Sequence, residues 1–187
     1  QPQIAYLGID NLLSCTIEGL PCNLIVLSTD NGVIEKIGEC KFIYRPIKTS
    51  DTKIIVSKKI KNRLRKVGEF YLAVRDIPDP IATVGGLNGG QIRKASLIAQ
   101  GGIGAHSFPP LSIDIDYLVT SYAVTITRKN ELLFHQVVTN NSFTPTLYEA
   151  FKTLQKDDRI IFSSILVQLP DGEQKLVKPL EFIVSAT

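Results

Sequence analysis

Short apolar runs that alternate with polar positions dominate residues 1–77. Two turn-forming segments interrupt them, Gly19-Leu20-Pro21 and Asp30-Asn31-Gly32. The second predicts a hairpin between its flanking runs, because Asn and Gly tolerate a positive φ. Short strands at this spacing favour an antiparallel sandwich of the immunoglobulin type. The predicted strands are residues 12–18, 23–28, 39–44, 53–57 and 69–75.

The rest of the chain shows the same alternation together with one helical pattern. Thr144-Pro145 is typical of a helix N-cap followed by proline at the first helical position. Leu147, Phe151 and Leu154 then fall on one face of a short helix at about residues 144–155. The remaining pattern predicts strands, the first of them long or bent, at residues 113–126, 132–138, 160–169 and 174–184. We therefore predict a second, β-rich domain with one short helix.

A proline- and glycine-rich segment separates these two patterns. Pro78 and Pro80 forbid a helix and cannot lie inside a central strand. Gly-Gly pairs follow at residues 85–86 and 89–90 and supply backbone freedom. The sequence thus predicts a mainly β protein of two tandem antiparallel domains, residues 1–77 and 78–187, joined by a short linker.

Composition supports two folded cores. The chain is 44% apolar and 21% charged, which argues against disorder. Its longest apolar stretches are shorter than the ~20 residues of a membrane-spanning helix. The sequence begins with Gln1 and contains no Met. We therefore expect a further segment upstream, whether a signal peptide, a membrane anchor or a larger region of the parent protein.

Positive charge is concentrated in one segment of the first domain. The net charge of the whole chain is +3, and residues 58–66 contain six cationic side chains. This cluster lies between two predicted strands, so we interpret it as a solvated hairpin tip whose cations guard a strand edge. It has no interleaved aromatic side chain on which a base could stack, and we expect no nucleic-acid partner.

Three cysteines, Cys15, Cys22 and Cys40, all lie in the first domain. Their spacing fits no zinc-binding pattern, and one disulfide would leave a thiol over. Cys15 and Cys22 flank the Gly19-Leu20-Pro21 turn and would face each other if the flanking strands pair. Buried, reduced cysteines are an equally acceptable interpretation.

Residues that carry catalytic or metal chemistry are few. His106 lies in a loop bounded by Gly and Pro, and His135 lies in an apolar strand. Asp114 and Asp116 would share one face of a strand, where solvent exposure explains them with fewer assumptions than a bound cation. The spacing of a phosphate-binding loop, a serine-hydrolase elbow and a zinc-protease helix is absent. We expect no enzymatic activity, no metal and no cofactor.

Several segments resemble one protein family. Residues 77–101 resemble the PDPxAxxGGxxGGxIxKxxLxAQ signature that opens the last periplasmic domain of the GldM/PorM proteins of Bacteroidetes. Residues 114–122 resemble the FDxxFxVxSF stretch of that domain, and Pro170-Asp171-Gly172 is similar to its C-terminal part. Residues 6–11, with the sequence YLGIDN, resemble the YxGxDN opening of the preceding immunoglobulin-like domain.

The resemblance implies a non-enzymatic structural component of the type IX secretion and gliding-motility machine. In that family a dimeric periplasmic shaft is anchored in the inner membrane by an N-terminal helix, through which it meets a motor partner. Its distal end meets an outer-membrane-associated ring of GldK/GldN-like subunits. This chain would be the two distal domains, either as part of a full motor protein or as a shorter paralogue.

We also expect the glycine-rich segment to lie at a domain or subunit contact. The residues concerned are Gly85, Gly86, Gly89, Gly90, Gln91, Arg93 and Lys94. A second interpretation remains open, in which the chain is a stand-alone exported immunoglobulin-like module that recognises a glycan or a surface protein.

Overall fold

The computed structural model describes residues 3–111 and 113–185, and it is mainly β. The chain divides between Ile77 and Pro78 into two compact units, here called the immunoglobulin-like unit and the C-terminal unit. The predicted fold class, tandem β domains, is confirmed.

The immunoglobulin-like unit consists of two sheets. Its strands are β1 (Gln3–Tyr6), β2 (Asn11–Ser14), β3 (Ile25–Ser28), β4 (Val33–Gly38), β5 (Lys41–Arg45), β6 (Asp51–Ile60) and β7 (Arg63–Arg75). One sheet has the order β1-β7-β6-β3 and the other β2-β5-β4. β1 and β7 are parallel, whereas the other pairs in both sheets are antiparallel. Two such sheets, with the chain crossing from one to the other, define an immunoglobulin-like sandwich.

The core of this unit follows from the period of two along its strands. Phe42 and Tyr44 on β5 are buried, whereas Lys41 and Arg45 at the ends of the strand are exposed. Ile54 on β6 is also fully buried and belongs to the same cluster. Alternate side chains of the two sheets therefore meet in one apolar layer.

The predicted hairpin at Asp30-Asn31-Gly32 is wrong. β3 pairs with β6, whereas β4 pairs with β5, so this turn carries the chain from one sheet to the other. Distant hydrogen bonds fix the crossing: the buried Asn31 amide donates to the Lys48 carbonyl at 2.9 Å and to the Thr52 hydroxyl at 2.7 Å. These bonds to residues far along the chain override the local hairpin preference.

The disulfide joins Cys22 to Cys40, so the suggested Cys15–Cys22 pairing is wrong. Cys22 lies in a 3₁₀ turn, Cys22–Leu24, and Cys40 lies in the turn between β4 and β5, with 4.9 Å between their Cα atoms. Cys15 instead directly follows β2, the partner strand of β5, and its N–H donates to the carbonyl of Cys40, the residue before β5, at 3.1 Å. Its thiol is free and half-buried, and burial raises its pKa.

Loss of this disulfide is expected to destabilise the immunoglobulin-like unit. The bridge closes a loop with a sequence separation of 18, and the chain-entropy relation gives about 3 kcal/mol for a loop of that length. We expect the pair Cys22→Ser/Cys40→Ser to lower the free energy of unfolding of this unit by about that amount. Urea unfolding followed by domain-resolved amide exchange measures it. The control is Cys15→Ser, and an equal loss from both variants would contradict the assigned pairing.

The predicted hairpin tip at the basic cluster is present. β6 and β7 join through Lys61 and Asn62, and Ile60 pairs with Arg63 next to the turn. Lys61 has a φ of 53°, as tight two-residue hairpin turns require. The strands are longer than predicted and run through the whole cationic segment.

The C-terminal unit is built on a larger sheet. Its elements are β8 (Pro80–Thr83), β9 (Gly90–Ile92), α1 (Lys94–Ile98), β10 (Gly104–Ser107), β11 (Leu118–Arg128), β12 (Glu131–Val138), α2 (Pro145–Lys152), β13 (Arg159–Gln168), β14 (Gln174–Leu176) and β15 (Leu180–Val184). The main sheet has the order β12-β11-β13-β15-β9, and β14 pairs with β13 beside β15. β8 and β10 form a separate antiparallel pair.

Helix α2 begins at the predicted residues, with Thr144 as its N-cap and Pro145 at its first position. The Thr144 hydroxyl accepts a hydrogen bond from the Leu147 N–H at 3.2 Å, and Pro145 is the first helical residue. Leu147 and Phe151 are fully buried, and Phe151 lies 5.2 Å, ring to ring, from Phe143 in an aromatic cluster. The structure also contains α1, a helix that the sequence pattern does not predict.

The strand predicted from residue 113 begins only at Leu118. Leu118 pairs with Gln168, the last residue of β13, so the described residues just before it have no partner strand there. Asp114 and Asp116 consequently lie outside any strand and are exposed, and the expected shared strand face is wrong. None of the helices in residues 3–111 and 113–185 is long and apolar enough to cross a membrane.

Candidate interaction surfaces

The glycine-rich segment forms a tight turn followed by a strand. Val84 and Leu87 exchange two backbone hydrogen bonds of 3.0 Å, and Gly85 and Gly86 between them have φ values of 57° and 79°. Positive φ at both central positions is the turn geometry for which glycine is favoured. Both glycines are exposed, so the turn is accessible on the C-terminal unit.

Gly89 occupies the tightest position of this segment. Its φ is 115°, and a Cβ built there would lie 3.0 Å from the Glu181 carbonyl oxygen. The close approach lets Gly90 and its neighbours run parallel to β15, where Ile92 is buried against Val184. Gly89 therefore has a structural role that is independent of any partner.

The other residues expected at a contact, Gln91, Arg93 and Lys94, come just after Gly90 in the sequence. Gln91 and Arg93 are exposed. Lys94 is half-buried, and its ammonium donates to the carbonyls of Lys152 and Leu154 at the C-terminal end of α2, both at 3.4 Å. A cation at a helix C-terminus is favourable for the helix dipole. The structure thus presents Gly85, Gly86, Gly90, Gln91 and Arg93 on the surface, whereas Gly89 and Lys94 also serve internal contacts.

Replacing Gly89 with alanine is expected to destabilise the C-terminal unit. Both the positive φ and the 3.0 Å approach to Glu181 disfavour a Cβ, and we expect a loss of about 1–3 kcal/mol in the free energy of unfolding. Urea unfolding of this unit measures the loss. Gly101→Ala is the matched control, because a Cβ there meets nothing within 4 Å and no positive φ is involved. Equal stability of the two variants would contradict the described backbone.

A groove lies beside β8. It has a volume of about 550 Å³, and its lining includes Pro80, Ile81, Leu176 and Lys178. Lys175 and Asp79 also line the groove and form an ion pair at 2.6 Å, and this hydrogen bond raises the pKa of Lys175. Leu176 is 72% exposed. The lining thus combines apolar side chains with the polar Asn88 and the charged Asp79, Lys175 and Lys178.

The β12 edge of the main sheet is apolar and open. β12 pairs with β11 alone within the described residues. Leu132 and Val137 are each 65% exposed, and between Leu132 and Val138 the strand carries no Lys, Arg, Asp or Glu. A long apolar strand edge without charges is a surface on which another strand readily pairs.

The residues considered for acid–base or metal chemistry are dispersed. The His106 ring Nε2 lies 3.2 Å from the Thr83 hydroxyl, and the His135 ring Nδ1 lies 3.0 Å from the Thr125 hydroxyl. In the part of the chain that the structure describes, His, Cys, Asp and Glu side chains form no group that could hold a metal ion.

The YLGIDN segment that carries part of the resemblance is structural. The Asn11 side-chain oxygen Oδ1 accepts from the Tyr6 backbone N–H at 2.7 Å, and the side-chain Nδ2 donates to the backbone carbonyls of Tyr6 at 2.8 Å and Tyr44 at 3.2 Å. Asp10 forms an ion pair with Arg45 at 2.6 Å. Asn11 thereby joins β1, β2 and β5, which explains why an amide side chain is needed there.

Fold and surfaces together define a class of protein, a tandem β-domain protein in which an immunoglobulin-like domain precedes a β-rich domain. Two family models match the chain: the GldM third domain matches residues 3–75, and the GldM C-terminal domain matches residues 78–185. The chain therefore belongs to the GldM family, which confirms the resemblance. This family supplies periplasmic components of gliding motility and type IX secretion. A comparison with curated proteins found no match.

Proposed function

We propose that this chain is the distal, non-enzymatic part of a homodimeric periplasmic shaft that links an inner-membrane motor to an outer-membrane-associated ring. The observation that carries the proposal is the tandem match: two consecutive GldM domains cover residues 3–75 and 78–185 in that order. In this proposal the anchor and the contact with the motor lie upstream, and the ring partners are GldK/GldN-like subunits.

A second copy of the chain is the occupant that suits the β12 edge. Two copies of β12 can pair antiparallel without opposing like charges, since residues 132–138 contain no Lys, Arg, Asp or Glu. The exposed Leu132 and Val137 side chains would then be covered by the partner copy. Isologous contacts of this kind produce closed, two-fold symmetric dimers.

Light scattering over a concentration series tests the homodimer. We expect a dimer mass at micromolar concentration for the unchanged chain and a monomer mass for the pair Leu132→Lys/Val137→Lys, because opposed lysines disfavour edge pairing. Leu176→Lys is the control, being 72% exposed but away from β12. A monomer at every concentration for the unchanged chain would contradict homodimerisation through these domains.

Site-specific photo-crosslinking in the native cells tests the ring contact. A photoreactive residue at Arg93, an exposed position directly after β9, is expected to capture a GldK/GldN-like subunit, and one at Lys156 serves as an exposed control. Mass spectrometry identifies the captured protein. Capture of a cell-surface protein unrelated to secretion would instead support the stand-alone binding module.

A further inference from the structure

The hairpin of β6 and β7 leaves one strand edge open. β1 pairs with β7 only from Leu72 onward, and β6 occupies the opposite edge. Within the described residues, no strand pairs with the outer edge of β7 along residues 63–69. This stretch therefore presents backbone N–H and C=O groups with which an added strand can form a ladder.

Most of the positive charge on this hairpin is not used for internal pairing. Residues 58–69 contain four Lys, two Arg and one Glu, a net of +5 that exceeds the +3 of the whole chain. Glu69 forms ion pairs with Lys66 and, at 3.7 Å, with Lys53. The other five cations of the segment form no ion pair with the described residues.

Two of these cations even oppose each other. Lys58 pairs directly with Arg65 across the hairpin, and like charges at directly opposite positions destabilise a strand pair. The hairpin thus carries a cost that a partner of opposite charge would relieve.

Apolar side chains alternate with the cations. Ile60 is 44%, Leu64 60% and Val67 45% exposed. A segment with alternating acidic and apolar residues would complement both features, whereas a second copy of this basic edge would be repelled. Residues 58–69 contain no aromatic side chain, so they offer neither a base-stacking platform nor the aromatic anchor common at membrane interfaces.

We propose that the β7 edge, residues 63–69, binds an extended acidic segment of a partner protein as an added strand. Backbone hydrogen bonds supply the pairing, and the surrounding Lys and Arg side chains select carboxylates. The site belongs to the immunoglobulin-like unit and is independent of the β12 edge, so its failure and the failure of the homodimer are distinguishable.

Fluorescence anisotropy with a labelled ten-residue peptide of alternating Glu and Val tests the charge selection. We expect binding that weakens at least about tenfold between 50 and 300 mM salt and at least about tenfold in Arg63→Gln/Arg65→Gln. Lys41→Gln/Lys156→Gln, the same change of charge at exposed positions elsewhere, is expected to bind as the unchanged chain does. A Lys/Val peptide that bound equally well, or equal losses in the two double variants, would overturn the proposal.

Hydrogen–deuterium exchange tests the strand addition. We expect amides within residues 63–69 to exchange more slowly when the Glu/Val peptide is bound, because a new ladder engages them. Single-stranded oligonucleotides and vesicles containing phosphatidylglycerol are the competing probes. Tighter binding of either one than of the peptide, or peptide binding without slower exchange in residues 63–69, would overturn the proposal.

Discussion

Replacing Gly32 with alanine is expected to unfold the immunoglobulin-like unit or to lower its free energy of unfolding by more than about 3 kcal/mol. Gly32 has a φ of 105°, and a Cβ there would lie 2.1 Å from the Arg45 carbonyl oxygen and 2.9 Å from the Pro46 Cα. Both neighbours are backbone atoms, so relief requires moving the chain at the end of β5. The same shift would disturb the buried Asn31 that fixes the sheet crossing.

Gly19→Ala separates the two causes of this loss. Gly19 also has a positive φ, 72°, but a Cβ there meets nothing within 4 Å, so only the conformational cost of about 1–2 kcal/mol applies. Urea unfolding with domain-resolved amide exchange compares the variants. If Gly32→Ala proved no less stable than Gly19→Ala, the close approach to Arg45 would not exist in solution.

Replacing Asp158 with alanine is expected to cost about 3–5 kcal/mol in the C-terminal unit. Asp158 is 1% exposed. Its two carboxylate oxygens accept parallel hydrogen bonds of 2.8 Å from Arg128, and one of them also accepts from the Gln155 N–H at 2.8 Å. Truncation leaves these donors without their acceptor. Asp51→Ala is the control, because its ion pair with Arg75 is exposed and such pairs contribute about 0–1 kcal/mol.

The same carboxylate predicts a pH dependence. The hydrogen bonds from Arg128 lower the pKa of Asp158. A lowered pKa in the folded state gives stability that is complete above the unfolded pKa of about 3.9 and is lost as the pH falls through the folded value. The stability difference between the unchanged chain and Asp158→Asn should therefore shrink on acidification from pH 7 to pH 2. A difference that stayed constant would mean that folding does not lower the pKa of Asp158.

Elements with strong local signals could be predicted from the sequence. Thr144-Pro145 places the start of α2 because the cap chemistry is local, and the basic segment between two predicted strands indicates a hairpin tip. β4 could not be found, since its residues are mostly exposed and show no burial period. Helix α1 has only five residues, fewer than two turns, and leaves no readable helical period.

The features that the sequence does not predict correctly share a physical cause: they depend on residues far along the chain. Asp30-Asn31-Gly32 has the same turn chemistry whether its strands pair or change sheets, and hydrogen bonds to Lys48 and Thr52 decide between the two. Likewise the glycine turn at residues 85–86 was predictable as a turn, but the approach of Gly89 to Glu181 was not. The contact role expected of this segment stays a prediction.

The parallel pairing of β1 with β7 has a mechanical consequence. Residues Gln3 to Tyr6 run alongside Leu72 to Arg75 in the same direction, and the Leu7 N–H adds a bond to the Arg75 carbonyl at 2.9 Å. Opposite pulls on Gln3 and Arg75 would slide these two strands past each other and load all the bonds at once, instead of peeling them apart singly. A force that pulls Gln3 and Arg75 apart therefore loads the β1–β7 ladder in shear. This is the direction in which a short ladder of hydrogen bonds resists the largest force.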